Sequence, residues 1–217
     1  MSQLRWTVVV PVKHLAAAKR RLRGAVRAVP HEALALALAA DTIEAVRACA
    51  AVAQVLVVTA DPRVAAAGLE AGARVLPDVP RAGLNAAFRY GAFAAADGGG
   101  WVAGLTADLP ALRSGELAAA LRAAQAAPVR ARRFVADAPG GGTVLLAAPP
   151  GVPLDPHFGV SSAAAHTASG AIALTGDWPS LRRDVDTAED LAAAARLGLG
   201  TRTAALIAAS QPWYERV

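Results

Sequence analysis

The stretch Trp6–Lys13 (WTVVVPVK) decides the fold class of this chain. Its first five residues are apolar or β-branched with no polar alternation, which is typical of a strand buried on both faces. Two further runs of the same kind follow at Gln54–Thr59 and Trp101–Thr106. Strands buried on both faces are characteristic of parallel sheets, so the sequence predicts a sheet covered by helices on both sides.

Segments rich in Ala and Leu, with a helical period, separate these strands. They predict helices at His31–Ala50, Pro62–Ala71, Leu84–Ala96 and Ser114–Ala126. Pro30 introduces the first helix, and Asp61 is expected to cap the second. Alternating strands and helices indicate βαβ units, so we expect a three-layer α/β fold with a mostly parallel, mixed sheet.

The pattern loosens after Pro128. Two strands are predicted here, Arg130–Ala136 and Thr143–Ala148, joined by a Pro-Gly-Gly-Gly turn. The tight turn suggests that this part of the sheet is antiparallel. The remaining short elements are expected at Arg74–Leu76, Ser161–Ala168, Ala171–Leu174, Leu191–Leu197 and Thr203–Ala208. No internal repeat or linker divides the 217 residues, so a single domain over residues 1–217 is predicted.

Composition excludes several classes of protein. Hydrophobic residues make up 55% and charged residues 18% of the chain, which excludes general disorder. A single cysteine, Cys49, excludes an internal disulfide and a thiolate metal cluster. We see no signal peptide and no apolar run of about 18 residues, so a cytoplasmic protein without a membrane partner is expected.

The net charge of +5 raises the question of an anionic partner. The arginines are scattered and aromatic residues amount to only 5%, a pattern that favours small phosphorylated ligands and no nucleic acid. The sequence leaves open whether the chain forms a homo-oligomer.

The loop after the first strand carries the only two lysines of the chain, Lys13 and Lys19. It also carries Arg20, Arg21 and Arg23. Ligands of open α/β sheets gather at the carboxyl ends of strands, and such concentrated positive charge suits a triphosphate. A solvated basic face is the alternative. Because neither G-x-x-x-x-G-K-[ST] nor G-x-G-x-x-G is present, P-loop and dinucleotide-binding proteins lose support.

Three carboxylates are candidates for a metal site. Asp108 follows the third long strand, and Asp184 and Asp186 alternate along a segment that, if extended, directs both side chains the same way. Like charges so placed repel unless a cation or an arginine joins them, and Mg²⁺ binds one or two carboxylates together with substrate phosphates. A helix-entry turn is the alternative for Asp108, and helix capping beside the Thr187–Asp190 motif is the alternative for Asp186.

Two glycine-containing segments suggest further binding groups. Thr143, Gly159 and Ser162 suit the phosphate or carboxylate of a second substrate, with ordinary helix capping by one serine as the alternative. Gly83 and Asn85 lie at a strand-to-helix junction, where they could approach a nucleobase or ribose. A hydrolase triad using His157 or His166 is not predicted, because no G-x-S-x-G motif surrounds a serine.

Taken in order, these segments resemble the 2-phospho-L-lactate guanylyltransferase family. The matching stretches are PVKxLxxAKxRL at 11–22, GLNxA at 83–87, ADLP at 107–110, FGxSS at 158–162 and DVDTxxDL at 184–191. Bacterial members of the family act as phosphoenolpyruvate guanylyltransferases in the biosynthesis of coenzyme F-420. The resemblance extends from Val8 to about Arg202, and the lysine loop and Gly-Leu-Asn segment are its most specific parts.

The resemblance implies a nucleotide-diphospho-sugar transferase (GT-A-like) fold, with GTP as co-substrate and Mg²⁺ as cofactor. The implied metal ligands are Asp108, Asp184 and Asp186. The implied contacts to a small phosphorylated three-carbon acid are Thr143, Gly159 and Ser162. The implied nucleotide-binding residues are Pro11, Lys13, Lys19, Gly83, Leu84 and Asn85. The residues that the resemblance implies for catalysis are Lys13, Lys19, Arg21 and Asp108. Arg20 departs from the family where a small hydroxyl residue is expected.

Two other functions stay open at this point. One is a nucleotidyltransferase of molybdopterin or sugar-phosphate type, although those enzymes carry a Gly-rich loop where this chain has Pro11-Val12-Lys13. The other is a non-catalytic, nucleotide-binding regulatory module, against which the three acids and two lysines argue. The acceptor also stays open among phosphoenolpyruvate, 2-phospho-L-lactate and 3-phosphoglycerate, because one hydroxyl or methylene changes discrimination through details of the pocket.

Overall fold

The computed structural model of the protein describes residues 5–79, 81–96, 98–126 and 130–210. Within these ranges, seven strands form one sheet. They are β1 (Trp6–Val12), β2 (Val52–Thr59), β3 (Arg74–Pro77), β4 (Trp101–Leu105), β5 (Arg133–Ala136), β6 (Thr143–Ala148) and β7 (Ile172–Ala173). Their order across the sheet is β3-β2-β1-β4-β6-β5-β7.

The same ranges contain eight α-helices. They are α1 (His31–Arg47), α2 (Pro62–Glu70), α3 (Leu84–Ala96), α4 (Ser114–Ala126), α5 (Ser162–Ala168), α6 (Pro179–Arg182), α7 (Ala188–Leu197) and α8 (Thr201–Ser210). Two short 3-10 turns, Leu15–Ala17 and Arg20–Leu22, follow β1. The predicted elements are present, although α1 ends three residues earlier than expected and the sequence did not reveal α6.

Strand direction confirms a mostly parallel, mixed sheet. β1 pairs in parallel with β2 and β4, and β2 pairs in parallel with β3. β6 runs antiparallel to both β4 and β5, so the expected antiparallel excursion is present. The chain moves outward from β1 to β3 and then returns to β4 on the opposite side of β1. The carboxyl ends of β1 and β4 therefore form a topological switch point, where open α/β sheets bind ligands.

Alternate side chains of β1 enter two different cores, which confirms the three layers. Val8 and Val10 pack in one core with Ile43 of α1, and α2 and α4 contribute to the same layer. Val9 faces the other side, in a core with Phe88 of α3. Because successive residues of a strand point to opposite faces, an unbroken run of valines fills both cores at once.

A third, smaller core holds the segment that precedes α7. Val185 is fully buried, and it packs in one cluster with Leu34 and Leu38 of α1 and with Leu191 of α7. The apolar side chain of Val185 therefore anchors a segment whose flanking residues are both acidic.

Cys49 is a buried, free cysteine, as the helical Ala-rich context predicts. None of the helices in the described ranges is both long and apolar enough to cross a membrane.

Candidate active site

A cavity of about 300 Å³ opens at the carboxyl ends of β1 and β4. The residues predicted for it come from separate parts of the chain. The structure brings to its lining Pro11, Lys13, Lys19, Leu84, Asp108 and Asp186, together with Thr106 and apolar residues of α1. The topological switch point therefore contains a cavity, and most of the predicted nucleotide-binding and metal-binding residues border it.

Lys19 joins two carboxylates in this cavity. Its Nζ donates to Asp108 Oδ2, and to Asp186 Oδ1 at 2.5 Å. Burial alone would lower the pKa of Lys19, but the charges of Asp108 and Asp186 raise it above its usual value, so the ammonium stays protonated. Lys19 has a φ of +51°, in the left-handed region that side chains other than glycine rarely adopt. Such a conformation costs on the order of 1 kcal/mol and is common at functional sites.

Asp184 adds a third carboxylate to the cluster. The Val185 N–H donates to the Asp108 carbonyl at 3.0 Å, which fixes the segment 184–186 beside Asp108. Burial raises the pKa of Asp184, the charges of Asp108, Asp137 and Asp186 add to this effect, and Lys19 opposes it, so that the pKa reaches about 7. The cluster therefore contains more negative charge than Lys19 neutralises.

The donor chemistry of this cluster, although not its present geometry, suits a hard divalent cation. Asp108 Oδ1 is buried and has no hydrogen-bond partner among the described residues, and carboxylate oxygens are the ligands that Mg²⁺ prefers. In the described part of the chain, however, no three Asp, Glu, His or Cys side chains are placed to hold a metal ion. Lys19 supplies the cationic charge between Asp108 and Asp186 instead.

A second cavity of about 380 Å³ adjoins the first, and Pro11, Lys13, Gly83 and Leu84 border it. Lys13 and Leu84 line both cavities. Gly83 has a φ of +93°, and an added Cβ would meet nothing within 4 Å, so its backbone is open to the cavity side. Together the two cavities are lined by five of the six nucleotide-binding residues predicted from the sequence: Pro11, Lys13, Lys19, Gly83 and Leu84.

Asn85 occupies a different position from the rest of the predicted nucleotide group. Its amide clamps the backbone of Phe158, donating from Nδ2 to the carbonyl at 3.0 Å and accepting the N–H at Oδ1 at 2.8 Å. The ring of Phe158 also stacks on Phe88 of α3, with ring centroids 4.2 Å apart. Asn85 therefore links the first turn of α3 to the loop that carries Gly159.

Thr143 lies at the start of β6, next to the acidic cluster. Because β6 is antiparallel to β4, its first residues lie beside the carboxyl end of β4, where the Thr106 N–H donates to the Val144 carbonyl at 3.0 Å. The Thr143 side chain is buried, and its Oγ1 lies 2.9 Å from Nδ1 of His166.

Gly159 and Ser162 complete this second group. Gly159 has a φ of +142°, and an added Cβ there would meet nothing within 4 Å. The Ser162 N–H donates to the Gly159 carbonyl at 3.2 Å, so the two residues form one tight turn before α5. Ser161 precedes α5 but makes no side-chain capping bond, so capping by Ser161 does not explain the paired serines.

The structure does not bring every predicted residue to the cavities. Five other predicted site residues line neither cavity: Asn85, Asp184, Thr143, Gly159 and Ser162. Arg21 and Arg23 are exposed and also line neither one, so their contact with a triphosphate stays a prediction. The side chain of Arg20 lies outside the described part. For Asp186, the capping alternative is excluded, because Thr187 caps α7 in a reciprocal capping box with Asp190.

Sequence reasoning missed three residues that shape the site. Asp61, predicted only as a helix cap, also accepts the Leu15 N–H at 3.1 Å and so holds the lysine loop. Asp137 accepts the N–H groups of Gly140 and Gly142, which orders the turn before Thr143. An Asp just before a glycine run is a turn signal that could have revealed Asp137. No local pattern could have revealed the role of His166.

The fold, with its cavity at the switch point of the sheet, is that of nucleotidyltransferases. A putative nucleotide-diphospho-sugar transferase from Desulfovibrio desulfuricans superposes with a TM-score of 0.66 and 16% identity, covering 97% of this chain and 99% of that one. A CMP:2-keto-3-deoxy-manno-octonic acid synthetase complexed with CTP superposes with a TM-score of 0.54 and 15% identity, covering 89% and 98% of the two chains. At such low identity the likeness shows the fold alone.

The chain belongs to the guanylyl transferase CofC-like family, whose model matches residues 6–207. It is 70% identical over 207 residues to a phosphoenolpyruvate guanylyltransferase of Salinispora arenicola, which covers 95% of each chain. It is 53% identical to the enzyme of the same name from Geodermatophilus obscurus, covering 93% of this chain and 94% of that one. These matches confirm the family that the motifs indicated.

Proposed function

We propose that this protein transfers GMP from GTP to the phosphate of phosphoenolpyruvate and releases pyrophosphate, as a Mg²⁺-dependent step in coenzyme F-420 biosynthesis. The names of its relatives at 70% and 53% identity support this acceptor. The observation that carries the proposal is the meeting of Lys19, Asp108 and Asp186 in one cavity, although Lys19 is 89 and 167 residues away from the two acids.

In the proposed reaction, an oxygen of the acceptor phosphate attacks the α-phosphorus of GTP. A new oxygen–phosphorus bond forms as the bond to the leaving pyrophosphate breaks. A phosphate anion is already nucleophilic, so the protein need not supply a general base. Catalysis then consists of holding two anions in line and stabilising the charge that develops on the leaving group. Lys13 and Lys19 supply that positive charge.

Asp108, Asp184 and Asp186 are the proposed ligands of Mg²⁺. When bound, a divalent cation neutralises phosphate oxygens and allows two anionic substrates to approach each other. Because Lys19 pairs with Asp108 and Asp186 here, we infer that its ammonium exchanges these carboxylates for phosphate oxygens when the substrates bind. Lys19 would then act on the pyrophosphate while the carboxylates serve the cation.

The remaining proposed contacts fall into two groups. Pro11, Gly83 and Leu84 border the nucleotide side, where Asn85 supports the first turn of α3. Arg21 is proposed to approach the triphosphate from solvent. Thr143, Gly159 and Ser162 are the proposed contacts to the acceptor, and Thr143 precedes Val144, whose carbonyl accepts the Thr106 N–H at 3.0 Å. A reaction that consumes GTP and a phosphorylated three-carbon acid also favours a cytoplasmic location.

The test is pyrophosphate release from GTP and Mg²⁺ with phosphoenolpyruvate, 2-phospho-L-lactate or 3-phosphoglycerate supplied separately. We expect release with phosphoenolpyruvate, and much less when ATP or CTP replaces GTP or when EDTA is present. Omitting the acceptor controls for simple GTP hydrolysis. GTP binding without release from any acceptor would favour a non-catalytic module, and release only with a sugar phosphate or molybdopterin would favour the other transferases. Either result overturns the proposal.

A further inference from the structure

The two ring nitrogens of His166 have fixed and different roles. Nε2 lies 2.9 Å from the backbone nitrogen of His157, and a backbone N–H can only donate. Nε2 must therefore accept and carry no hydrogen. In a neutral imidazole the hydrogen then resides on Nδ1, so the hydrogen bond with Thr143 runs from Nδ1–H to Oγ1, over 2.9 Å.

The surroundings of His166 keep the imidazole neutral. The residue is fully buried. Burial, with smaller contributions from the neighbouring His157 and Arg132, lowers its pKa to about 4. Protonation of Nε2 would also set two donors against each other at the His157 N–H. The tautomer with hydrogen on Nδ1 therefore persists over the pH range in which phosphoryl chemistry is assayed.

This tautomer decides what Thr143 offers to a ligand. Oγ1 already accepts from Nδ1, and the hydroxyl hydrogen has no other acceptor among the described residues. Phosphate and carboxylate oxygens can only accept hydrogen bonds. If His166 had the opposite tautomer, the hydroxyl would donate to the imidazole and present only lone pairs to an anion. With the hydrogen on Nδ1, the Thr143 hydroxyl instead keeps a donor that is directed away from His166.

We propose that His166 is a positioning residue for the acceptor substrate: its Nδ1–H commits the Thr143 hydroxyl hydrogen to an anionic oxygen of the acceptor. This inference rests on the proposed function, because it takes Thr143, Gly159 and Ser162 as the contacts of the phosphorylated acid. His166 touches no substrate itself. Its second bond, to the His157 N–H, holds the loop that carries Gly159, so the same imidazole orders two parts of the acceptor side.

Two matched substitutions separate these two bonds. The amide nitrogen of Asn overlies Nδ1, so His166→Asn keeps a donor to Thr143 and loses the bond to the His157 N–H. The amide oxygen of Gln overlies Nε2, so His166→Gln keeps the bond to His157 and loses the donor. A hydrogen bond to a charged group affects binding by roughly 10-fold or more. We expect His166→Gln to raise the KM for phosphoenolpyruvate by about that factor, with the KM for GTP and the melting temperature nearly unchanged.

His166→Asn keeps the donor to Thr143, so it is expected to raise the KM for phosphoenolpyruvate less than His166→Gln does, whereas a general loss of structure would affect both variants alike. Thr143→Val provides a check that leaves His166 in place. It is expected to raise the acceptor KM by a similar factor, and His166→Gln is expected to add nothing further in that background.

The outcomes distinguish this inference from the proposed function. A wild-type protein that releases no pyrophosphate with phosphoenolpyruvate overturns the proposed function and this inference with it. An active wild type whose acceptor KM is unchanged by His166→Gln overturns the role of His166 alone. If the His166 variants fail to fold, an unchanged acceptor KM in Thr143→Val overturns it equally.

Discussion

The triplet Thr-Ala-Asp occurs twice in this protein, at the carboxyl ends of the two strands that flank β1. Thr59-Ala60-Asp61 ends β2, and Thr106-Ala107-Asp108 follows β4. Both aspartates lie at the edge of the sheet where ligands bind. Their sequences are the same for three residues, yet their surroundings assign them different roles.

Asp61 is fully satisfied by the protein. Oδ1 accepts the Arg63 N–H at 3.0 Å, and Oδ2 accepts the Leu15 N–H at 3.1 Å, with His14 Nδ1 also 3.1 Å away. The hydroxyl of Thr59 accepts the Asp61 N–H. Burial opposes ionisation, but the hydrogen bonds from Leu15 and Arg63 lower the pKa of Asp61 below its usual value. Asp61 is therefore a structural carboxylate.

Asp108 is left incomplete. Only Oδ2 has a partner, Lys19, whereas Oδ1 and the hydroxyl of Thr106 are buried without partners among the described residues. Buried polar atoms without partners are rare in folded proteins and indicate a missing water, ion or ligand. The same triplet therefore stabilises the fold where the protein supplies hydrogen-bond partners for its polar atoms. Where the protein leaves these atoms without partners, the triplet is available to bind a ligand.

The largest effect, a loss of turnover, is expected from Asp108→Asn, which tests the Thr106–Asp108 triplet with its polar atoms that lack partners in the described part of the chain. Losing one charged group that stabilises a phosphoryl-transfer transition state typically lowers kcat by roughly 100-fold or more. The melting temperature is expected to stay close to wild type, because the lost carboxylate has one unpaired oxygen. Pyrophosphate release and a thermal melt measure the two properties, and near-normal turnover would remove Asp108 from the site.

Asp61→Asn makes the same change in the Thr59–Asp61 triplet, whose polar atoms have partners, and is the matched control for Asp108→Asn. Because the amide cannot replace both acceptor oxygens, we expect a loss of about 1–3 kcal/mol in the free energy of unfolding. Turnover should remain well above that of Asp108→Asn. Since the folded-state pKa of Asp61 is lowered, its stabilisation is present above the unfolded pKa of about 4 and is lost on further acidification.

Urea titrations between pH 3 and pH 7 measure this effect on Asp61. The difference between wild type and Asp61→Asn is expected to shrink below about pH 4, where the carboxylate becomes protonated. A difference in unfolding free energy that is the same at every pH would show that ionisation of Asp61 does not stabilise the fold.

Asp184→Asn tests whether the unsatisfied site around Asp108 holds excess negative charge, in contrast to the satisfied site of Asp61. The folded-state pKa of Asp184 is raised to about 7, above its unfolded value of about 4, so wild type loses stability as the pH rises between these values. Asn does not ionise, so the variant does not lose stability for this reason as the pH rises. Its melting temperature relative to wild type is expected to rise from pH 4 to pH 8 in the presence of EDTA. A constant difference across that range would contradict the excess negative charge.

The smallest effect is expected from the paired changes Thr59→Val and Thr106→Val. Thr59 accepts the Asp61 N–H at 3.1 Å, so removing its hydroxyl is expected to cost about 1 kcal/mol of stability. The Thr106 hydroxyl has no partner among the described residues, so its removal is expected to leave stability unchanged or to increase it. Thermal melts of the two variants side by side measure the difference, and equal losses would contradict the distinction between the triplets.

Much of the fold was predictable because its strands are specified locally. The valine run of β1 faces two cores, and a run that is apolar at every position can only be buried on both sides. The lysine loop and Asp108 were predicted in the site because they follow such strands directly. The short helix Pro179–Arg182 was missed, since four residues carry too little of a helical period to be recognised.

By itself, the sequence determined the layered α/β class, the family and the identity of the charged residues at the strand ends, because these depend on local pattern and order along the chain. Only the tertiary structure decided which Thr-Ala-Asp triplet is left open, that Asn85 clamps Phe158, and which nitrogen of His166 carries the hydrogen. Each of these depends on a hydrogen-bond partner brought close by folding. The pairing of polar groups, unlike their presence, is fixed by three-dimensional neighbours and cannot be read from spacing.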